Sequence, residues 1–297
     1  MKMVKNKEIR AQSLKIPKTI LITAKVLEIL SSNWATLFAA KLFTTPIKHK
    51  IPKREFHMLN KSTQKRLYIP AINKEIVVYH YGSSERKVLL VHGWSGRGTQ
   101  LVKIADELLK VGFSTVSFDA PAHGMSKGKS TLLPEFIASI FEIEKQLGPF
   151  EITIGHSLGG MSILNAIARG FKTKKAITIG SGDIIQDIID DFVIQLKLKP
   201  NLGIKLRDHF ENKYGSEMDG YSASRAAKTV DIPVLVIHDT DDADVNVKAA
   251  YHIHENLKHS ELLITKALGH RKILGNEEVI NKIITFIKTP ITSKTGD

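Results

Sequence analysis

Residues 155–160 read Gly155-His156-Ser157-Leu158-Gly159-Gly160. A run with strand character, residues 151–154, leads into them, and a helix-compatible run, residues 161–168, leads out. The stretch is therefore strand, sharp turn, helix. A serine at the tip of such a turn is driven toward a strained backbone, and the residues two before and two after it must be small so that neighbouring backbones can approach. Gly155 and Gly159 meet that demand. The hydroxyl then stands clear of the sheet, with the first amides of the following helix pointing at the reacting centre. A bare G-x-S-x-G arises by chance in roughly one chain in ten of this length, so its surroundings have to decide.

Outward from this turn the chain alternates strand and helix. Residues 87–91, Lys-Val-Leu-Leu-Val, form a continuous apolar run, as in a strand covered on both faces. A helix over 99–110, a strand over 113–118, a helix over 132–147 and strands over 176–179 and 233–238 continue the rhythm. Helices over 247–257 and 277–288 then flank a short strand at 261–264, and residues 66–69 and 75–81 read as paired strands turned at Asn73. The alternation predicts an α/β fold with a mostly parallel, doubly wound sheet built by right-handed crossovers. Residues 183–230 break it. They exceed a crossover's needs, place Ile184, Ile185, Ile188, Ile189 and Phe192 at helical spacing, and read as a helical cap inserted over the carboxyl edge of the sheet, where such sheets bind ligands.

The chain has 297 residues, 42% hydrophobic and 25% charged, which suits one large α/β domain with a substantial core. It has no cysteine, which excludes disulfides, a thiolate nucleophile and thiolate metal sites and agrees with a cytoplasmic location. The net charge of +13 is uneven: residues 1–60 hold 12 Lys+Arg against 3 Asp+Glu, and the remainder holds 31 against 27. The organisation expected is a basic N-terminal extension with an apolar helix over 1–60 and an α/β domain over 61–297. No zinc-finger, RNP or P-loop pattern is present and the domain itself is close to balanced, so nucleic acid is not an expected partner.

Residues 19–43 are largely apolar, but Lys25, Glu28 and Lys41 interrupt them, and the longest uncharged run, 29–40, has 12 residues against the roughly 20 a spanning helix needs. The same charges argue against a signal peptide. Two readings stand: a helical extension packed on the main domain, or a helix lying on an anionic membrane, with the lysines of residues 1–54 supplying the attraction. Residues 1–17 and the tail beyond Pro290 read as loose.

A serine hydroxyl is a weak nucleophile at neutral pH and needs a base within hydrogen-bond reach and a third group to orient that base. Among 12 histidines, His270 sits in a loop between the last strand and the last helix, from which an imidazole can swing over the nucleophile. His123, in the loop after the neighbouring strand, is a rival. His92 and His156 flank glycines in tight turns and read as packing residues. His252, His254 and His259 suggest a metal site only superficially, since 252 and 254 lie on different faces of a helix. No metal and no cofactor is expected. Asp239, Asp241, Asp242 and Asp244 crowd the loop after His238. One of them should hold the imidazole, the others being solvated or capping the next helix; spacing favours Asp242, with Asp241 second.

Over residues 62–288 the sequence resembles the α/β-hydrolase fold superfamily of esterase- and lipase-like serine hydrolases. The residues that carry the likeness are Val91-His92-Gly93-Trp94, Asp119-Ala120-Pro121-Ala122-His123-Gly124-Met125-Ser126, Gly155 to Gly160, His238 to Val245, and Gly269-His270, in the superfamily's order of Ser, Asp, His. The resemblance implies Ser157 as nucleophile, His270 as base and Asp242 as acid, because Asp242-Ala243-Asp244-Val245 looks like the family's D-x-x-V. It also implies an oxyanion hole from the backbone N–H groups of Leu158 and Trp94. Asp239, Asn246 and Ala122 depart from the usual glycine, proline and glycine. Phe43-Thr44-Thr45-Pro46 resembles the extension of a bacterial group of hydrolases. The function implied is cleavage of a small-molecule acyl ester through an acyl-enzyme; a thioesterase, peptidase or acyltransferase uses the same triad. A binding protein that keeps the fold without catalysis is the competing reading, supported only by the irregular Asp-rich loop.

Overall fold

The computed structural model describes residues 16–290, so the expectations for residues 1–15 and 291–297 lie outside the described residues. Eight strands form one sheet in the order β1-β2-β4-β3-β5-β6-β7-β8. β1 (Thr63–Ile69) and β2 (Lys74–Tyr81) are an antiparallel pair, turned at Asn73, which takes the left-handed conformation at φ 50°. β2 also runs antiparallel to β4 (Ser114–Asp119). The remaining pairs are parallel: β4 with β3 (Lys87–Val91), β3 with β5 (Ile152–His156), then β6 (Lys175–Ile179), β7 (Val234–Asp239) and β8 (Ser260–Thr265).

The central strands β3, β5, β6 and β7 are largely apolar because both faces are covered. Alternate residues point to opposite sides: Val88 and Leu90 of β3 enter one core, Leu89 and Val91 the other, and Leu235 and Ile237 of β7 part from Val234 and Val236 in the same way. Each such side chain contributes about 1.5–3 kcal/mol on burial. Counting helices along the chain, α1 (Lys18–Leu30), α2 (Ser32–Phe43) and the one-and-a-half turns of α3 (Phe56–Lys61) precede the sheet, and α4 (Val102–Lys110) and α5 (Leu133–Leu147) follow β3 and β4. α6 (Leu158–Ala168) follows β5 directly. α10 (Lys248–Asn256), the single turn α11 (Gly269–Lys272) and α12 (Glu277–Lys288) complete the domain. α4 and α12 fill one face with Ile104, Leu108, Ile283 and Phe286; α5 and α6 fill the other with Phe136, Ile140, Ile163 and Leu164.

The insertion at 183–230 is helical, with α7 (Ile185–Gln195), α8 (Asn201–Tyr214), a 3₁₀ turn at Met218–Tyr221 and α9 (Ala223–Ala227). Asp183 pins its two ends together: its carboxylate accepts from the amide of Ser224 (2.6 Å) and its carbonyl from the amide of Ala223 (3.2 Å).

The apolar N-terminal segment differs from the single helix expected. Ser31, in extended conformation at φ −163°, divides it into α1 and α2 and accepts the amide of Trp34 as the cap of α2. The pair rests on the cap: Phe43 meets Phe192 edge-on (5.2 Å between centroids) and tilts against Phe210 (5.6 Å). Among the described residues no helix is long and apolar enough to cross a membrane. From Pro46 the chain crosses the domain, and Glu55 and Met58 are fully buried in it.

Candidate active site

β5 delivers Ser157 to the carboxyl edge of the sheet beside β3, where strand order reverses. Ser157 has φ 55° and ψ −121°, a conformation a non-glycine residue holds only where its surroundings enforce it. Here its amide bonds the carbonyl of Ile179 (2.9 Å) and its own carbonyl accepts the amides of Gly160 and Met161. The glycines make the turn sterically feasible. A Cβ on Gly159 would overlap the carbonyl oxygen of Val91, and one on Gly155 the carbonyl oxygen of Gly159. A Cβ on Gly93 would stand 2.7 Å from that of Ser157, so the loop after β3 lies directly against the serine.

His270 lies beside Gly180, the residue after Ile179. It sits on the one-turn helix α11 rather than in an open loop, and it is 6% exposed. Its Nδ1 lies 2.7 Å from Oδ2 of Asp242, whose side chain is buried. Burial alone would push the Asp242 carboxyl up. The N–H groups of His238 and His270 that face it, with the amide of Val245, instead hold it well below the usual carboxylate range. His238 Nε2 is nearer the Val245 carbonyl (3.0 Å) than Asp242 (3.4 Å), so its hydrogen points chiefly at the former. An ionised Asp242 can only accept, so His270 donates through Nδ1 and presents the lone pair of Nε2. Gly180 backs this pair: a Cβ there would lie 3.3 Å from His270 Nδ1 and 3.4 Å from Asp242 Oδ2. Residues 179 and 180 thus touch the serine on one side and the imidazole and carboxylate on the other. Neither Ser157 Oγ nor His270 Nε2 bonds another group among the described residues.

Of the four loop aspartates, Asp242 alone meets the imidazole. Its Oδ1 accepts the amides of Asp244 and Val245 (2.9 Å each), which fixes its aim. Asp241 instead accepts the amide of Ala267 (3.0 Å). Asp239 is neither solvated nor a helix cap, as the sequence reading had the spare aspartates. It is buried, and it accepts from the amides of Asp241, Leu268 and Gly269 and the hydroxyl of Thr265, so it holds the segment that carries His270. Burial raises its carboxyl, and these hydrogen bonds outweigh that and lower it.

His123 is not a base. Its Nε2 accepts the amide of Ser95 (3.0 Å), its Nδ1 donates to the carbonyl of Pro121 (3.1 Å), and burial pushes it down to about 2. His92 does the equivalent service nearby, accepting from Ala120 and donating to Gly93, and burial pushes it down to about 4. His252, His254 and His259 disperse to Asp183, Ser260 and Asp231 respectively.

These two buried imidazoles shape the loop of Gly93 to Thr99, whose first residue lies against Ser157. The amides of Trp94 and Leu158 find no protein acceptor among the described residues. The N-terminal segment braces the same loop from outside. The amide of Ile47 donates to Ser95 Oγ (3.0 Å), Nη1 of Arg97 donates to both carboxylate oxygens of Glu55 (2.9 and 3.0 Å), and Thr99 donates to Glu55 (2.7 Å). From within, Asp119 takes the amide of Gly98 and the hydroxyl of Tyr79 (2.7 Å each). Sequence reasoning missed this brace because its partners are more than forty positions apart. A glutamate in the otherwise basic text of residues 41–54 and its neighbours was the one signal available.

Residues 88–193 match the alpha/beta hydrolase family, and residues 217–297 match the TAP-like protein family. The chain belongs to the α/β-hydrolase superfamily. No curated protein matches it by sequence. Solved structures of the superfamily align over most of its length. An esterase from Exiguobacterium antarcticum has a TM-score of 0.61 at 18% identity, covering 76% of this chain and 100% of its own. A monoacylglycerol lipase from Paleococcus ferrophilus has 0.56 at 21%, covering 71% and 98%. A bacterial membrane phospholipase A has 0.60 at 16%, covering 91% and 96%. The α/β-hydrolase domain here is the expected mostly parallel sheet with its helical cap.

Proposed function

We propose that this α/β-hydrolase is a serine hydrolase that cleaves a carboxylic ester, with Ser157 as nucleophile, His270 as general base and Asp242 as the acid that orients it. The observation that carries this reading is the strained Ser157 at the β5–α6 turn, set across residues 179 and 180 from an imidazole whose Nδ1 is committed to a carboxylate. In the reaction His270 Nε2 takes the hydroxyl proton as Oγ attacks the ester carbonyl. The Trp94 and Leu158 amides receive the oxyanion, and the imidazolium returns its proton to the departing alkoxide. Water, deprotonated by the same nitrogen, then releases the acid and restores the serine. His270 and Asp242 keep this charge separation local: the imidazolium forms beside a carboxylate already held ionised.

The ester class is favoured by the named activities of the structural neighbours, an esterase, a monoacylglycerol lipase and a phospholipase A. Labelling with a fluorophosphonate probe tests the reading. Wild-type protein is expected to label and to hydrolyse short and medium acyl esters, and Ser157→Ala to do neither, with kcat reduced by about 10⁴-fold or more. Equal labelling of both proteins, or a folded wild type inert to probe and esters, rejects it in favour of a non-catalytic binding role.

A further inference from the structure

The paired helices α1 and α2 leave their apolar surface uncovered. Ile22, Val26 and Ile29 recur along α1 at intervals of four and three, and Trp34 and Leu37 continue along α2; all are exposed. Ile29 at 77% and Leu30 at 64%, next to Ser31, are the most exposed apolar residues of the pair, and Trp34 stands at 57% just beyond the break. Single exposed apolar residues need no account, but a group of this kind on one small element does.

Charge is arranged along the same element. Lys18 and Lys41 stand at the end of the pair away from Ser31, on the same helical rows as Ile22 and as Trp34 and Leu37. Lys48, Lys50, Lys53 and Arg54 follow, all exposed. Between residues 16 and 54 there are seven Lys+Arg and one acidic residue, Glu28. Glu28 is already occupied by Lys25 Nζ (2.5 Å) and the Lys199 amide (2.6 Å). The element therefore has an apolar tip and a cationic base, in which Lys25 is paired with Glu28 and Arg54 lies 3.6 Å from Glu55. The cap extends the apolar surface where it meets the helices. Lys205 reaches Ser32 (2.7 Å), and Ile194 and Ile204, both exposed, line a shallow groove with Pro200, Asn201 and Asp190, whose carboxylate accepts from Gln186 Nε2 (2.8 Å).

We propose that α1, α2 and the adjoining edge of the cap form a docking surface for an anionic lipid bilayer. The tip residues Ile29, Leu30 and Trp34 enter the headgroup boundary, and Lys18, Lys41 and the basic residues of 48–54 lie against the anionic headgroups. An indole at the tip suits the interface, which accepts an apolar ring with a polar N–H. A bilayer fits better than a second copy of this chain, because a two-fold contact would bring these lysines against their own equivalents with no carboxylates between them. The surface is independent of the chemistry at Ser157 and is carried by α1, α2, the basic residues of 48–54 and the cap.

The test is sedimentation of the full chain with phosphatidylcholine vesicles, with and without phosphatidylglycerol, alongside Trp34 fluorescence assigned with Trp34→Phe. Wild type and Ser157→Ala are both expected to bind the phosphatidylglycerol vesicles, with a blue shift that Trp34→Phe lacks, and to release in high salt. Ile29→Asp with Leu37→Asp, at exposed positions that leave the far-ultraviolet dichroism unchanged, should weaken binding by about tenfold or more, as should Lys48→Glu with Lys50→Glu. The proposal is overturned by any of three results. Wild type does not bind, or the Asp variants bind as wild type does, or a form lacking residues 1–15 loses all binding. A dimer in solution that the Asp variants dissolve, without vesicle binding, equally rejects the bilayer and assigns the surface to a second copy.

Discussion

The imidazole of His156 donates through Nε2 to the backbone carbonyl of His270, 2.9 Å away, and the two rings lie 4.6 Å apart. The residue before the proposed nucleophile therefore holds the main chain of the proposed base. Because Nε2 donates, Nδ1 of His156 is a buried acceptor with no partner, and burial keeps this histidine neutral by lowering its pKa far below the usual value. Replacing it with leucine removes the tether without touching Ser157. His156→Leu is expected to lower kcat by about 10–10²-fold with KM little changed, as a misplaced catalytic group does. Steady-state kinetics on a folded variant check this, and an unchanged kcat would show that α11 holds His270 unaided.

Asp242 and Asp241 were the two candidates for the acid, and their partners separate them. Asp242→Asn forces His270 into the wrong tautomer and should cost about 10³–10⁴-fold in kcat. Asp241→Asn loses only part of its hold on the Ala267 amide and should cost less than about tenfold. The ratio of the two kcat values is the measurement; equal losses would contradict the assignment.

Glu55 is fully buried, pairs with Arg97 and accepts from Thr99. Removing one partner of such a pair strands the other, so Glu55→Ala should lower unfolding stability by about 3–5 kcal/mol. Urea unfolding measures it. Since Arg97 lies in the loop that presents the Trp94 amide, residual folded protein should also lose kcat more than it gains in KM.

Stability should fall in mild acid. Burial pushes His92 down to about 4 and His123 to about 2, and it lowers His156 well below the usual value. Each folded pKa lies below the unfolded value near 6.5, so their contribution is intact above about pH 6.5. It is lost as pH falls below that, because the unfolded chain takes up protons the native state refuses. Asp119, whose carboxyl burial raises, works in the opposite sense. Three histidines lowered against this one carboxyl raised predict a net loss of stability from pH 7 toward pH 5. Urea midpoints at pH 7 and pH 5 test the sign; a midpoint that rises at pH 5 would refute it.

The parts of this architecture that were legible in the sequence are those written in short-range text. The apolar run of β3, the glycines around Ser157 and the full span of α12 follow from local periodicity and sterics, and the observed strands and helices agree to within a few residues. What was not legible depends on partners distant in sequence. α4 begins at Val102 rather than near Thr99 because Gly98 and Thr99 are engaged by Asp119 and Glu55. Asp239 looked like a surplus carboxylate, since nothing local shows that four donors converge on it. Ser31 was not legible as a break because residues 19–43 hold neither Gly nor Pro, and serine, though it favours caps over helix interiors, does not by itself end a helix.

The contact between Glu28 and the Lys199 amide spans 171 positions of chain. During synthesis at roughly 5–20 residues per second, α1 and α2 emerge about 10–30 s before the cap helices on which they rest exist. For that interval α1 and α2 have only each other to pack against, and the face that Phe43 turns toward the cap has no cover. This helix pair is thus made well before it is housed.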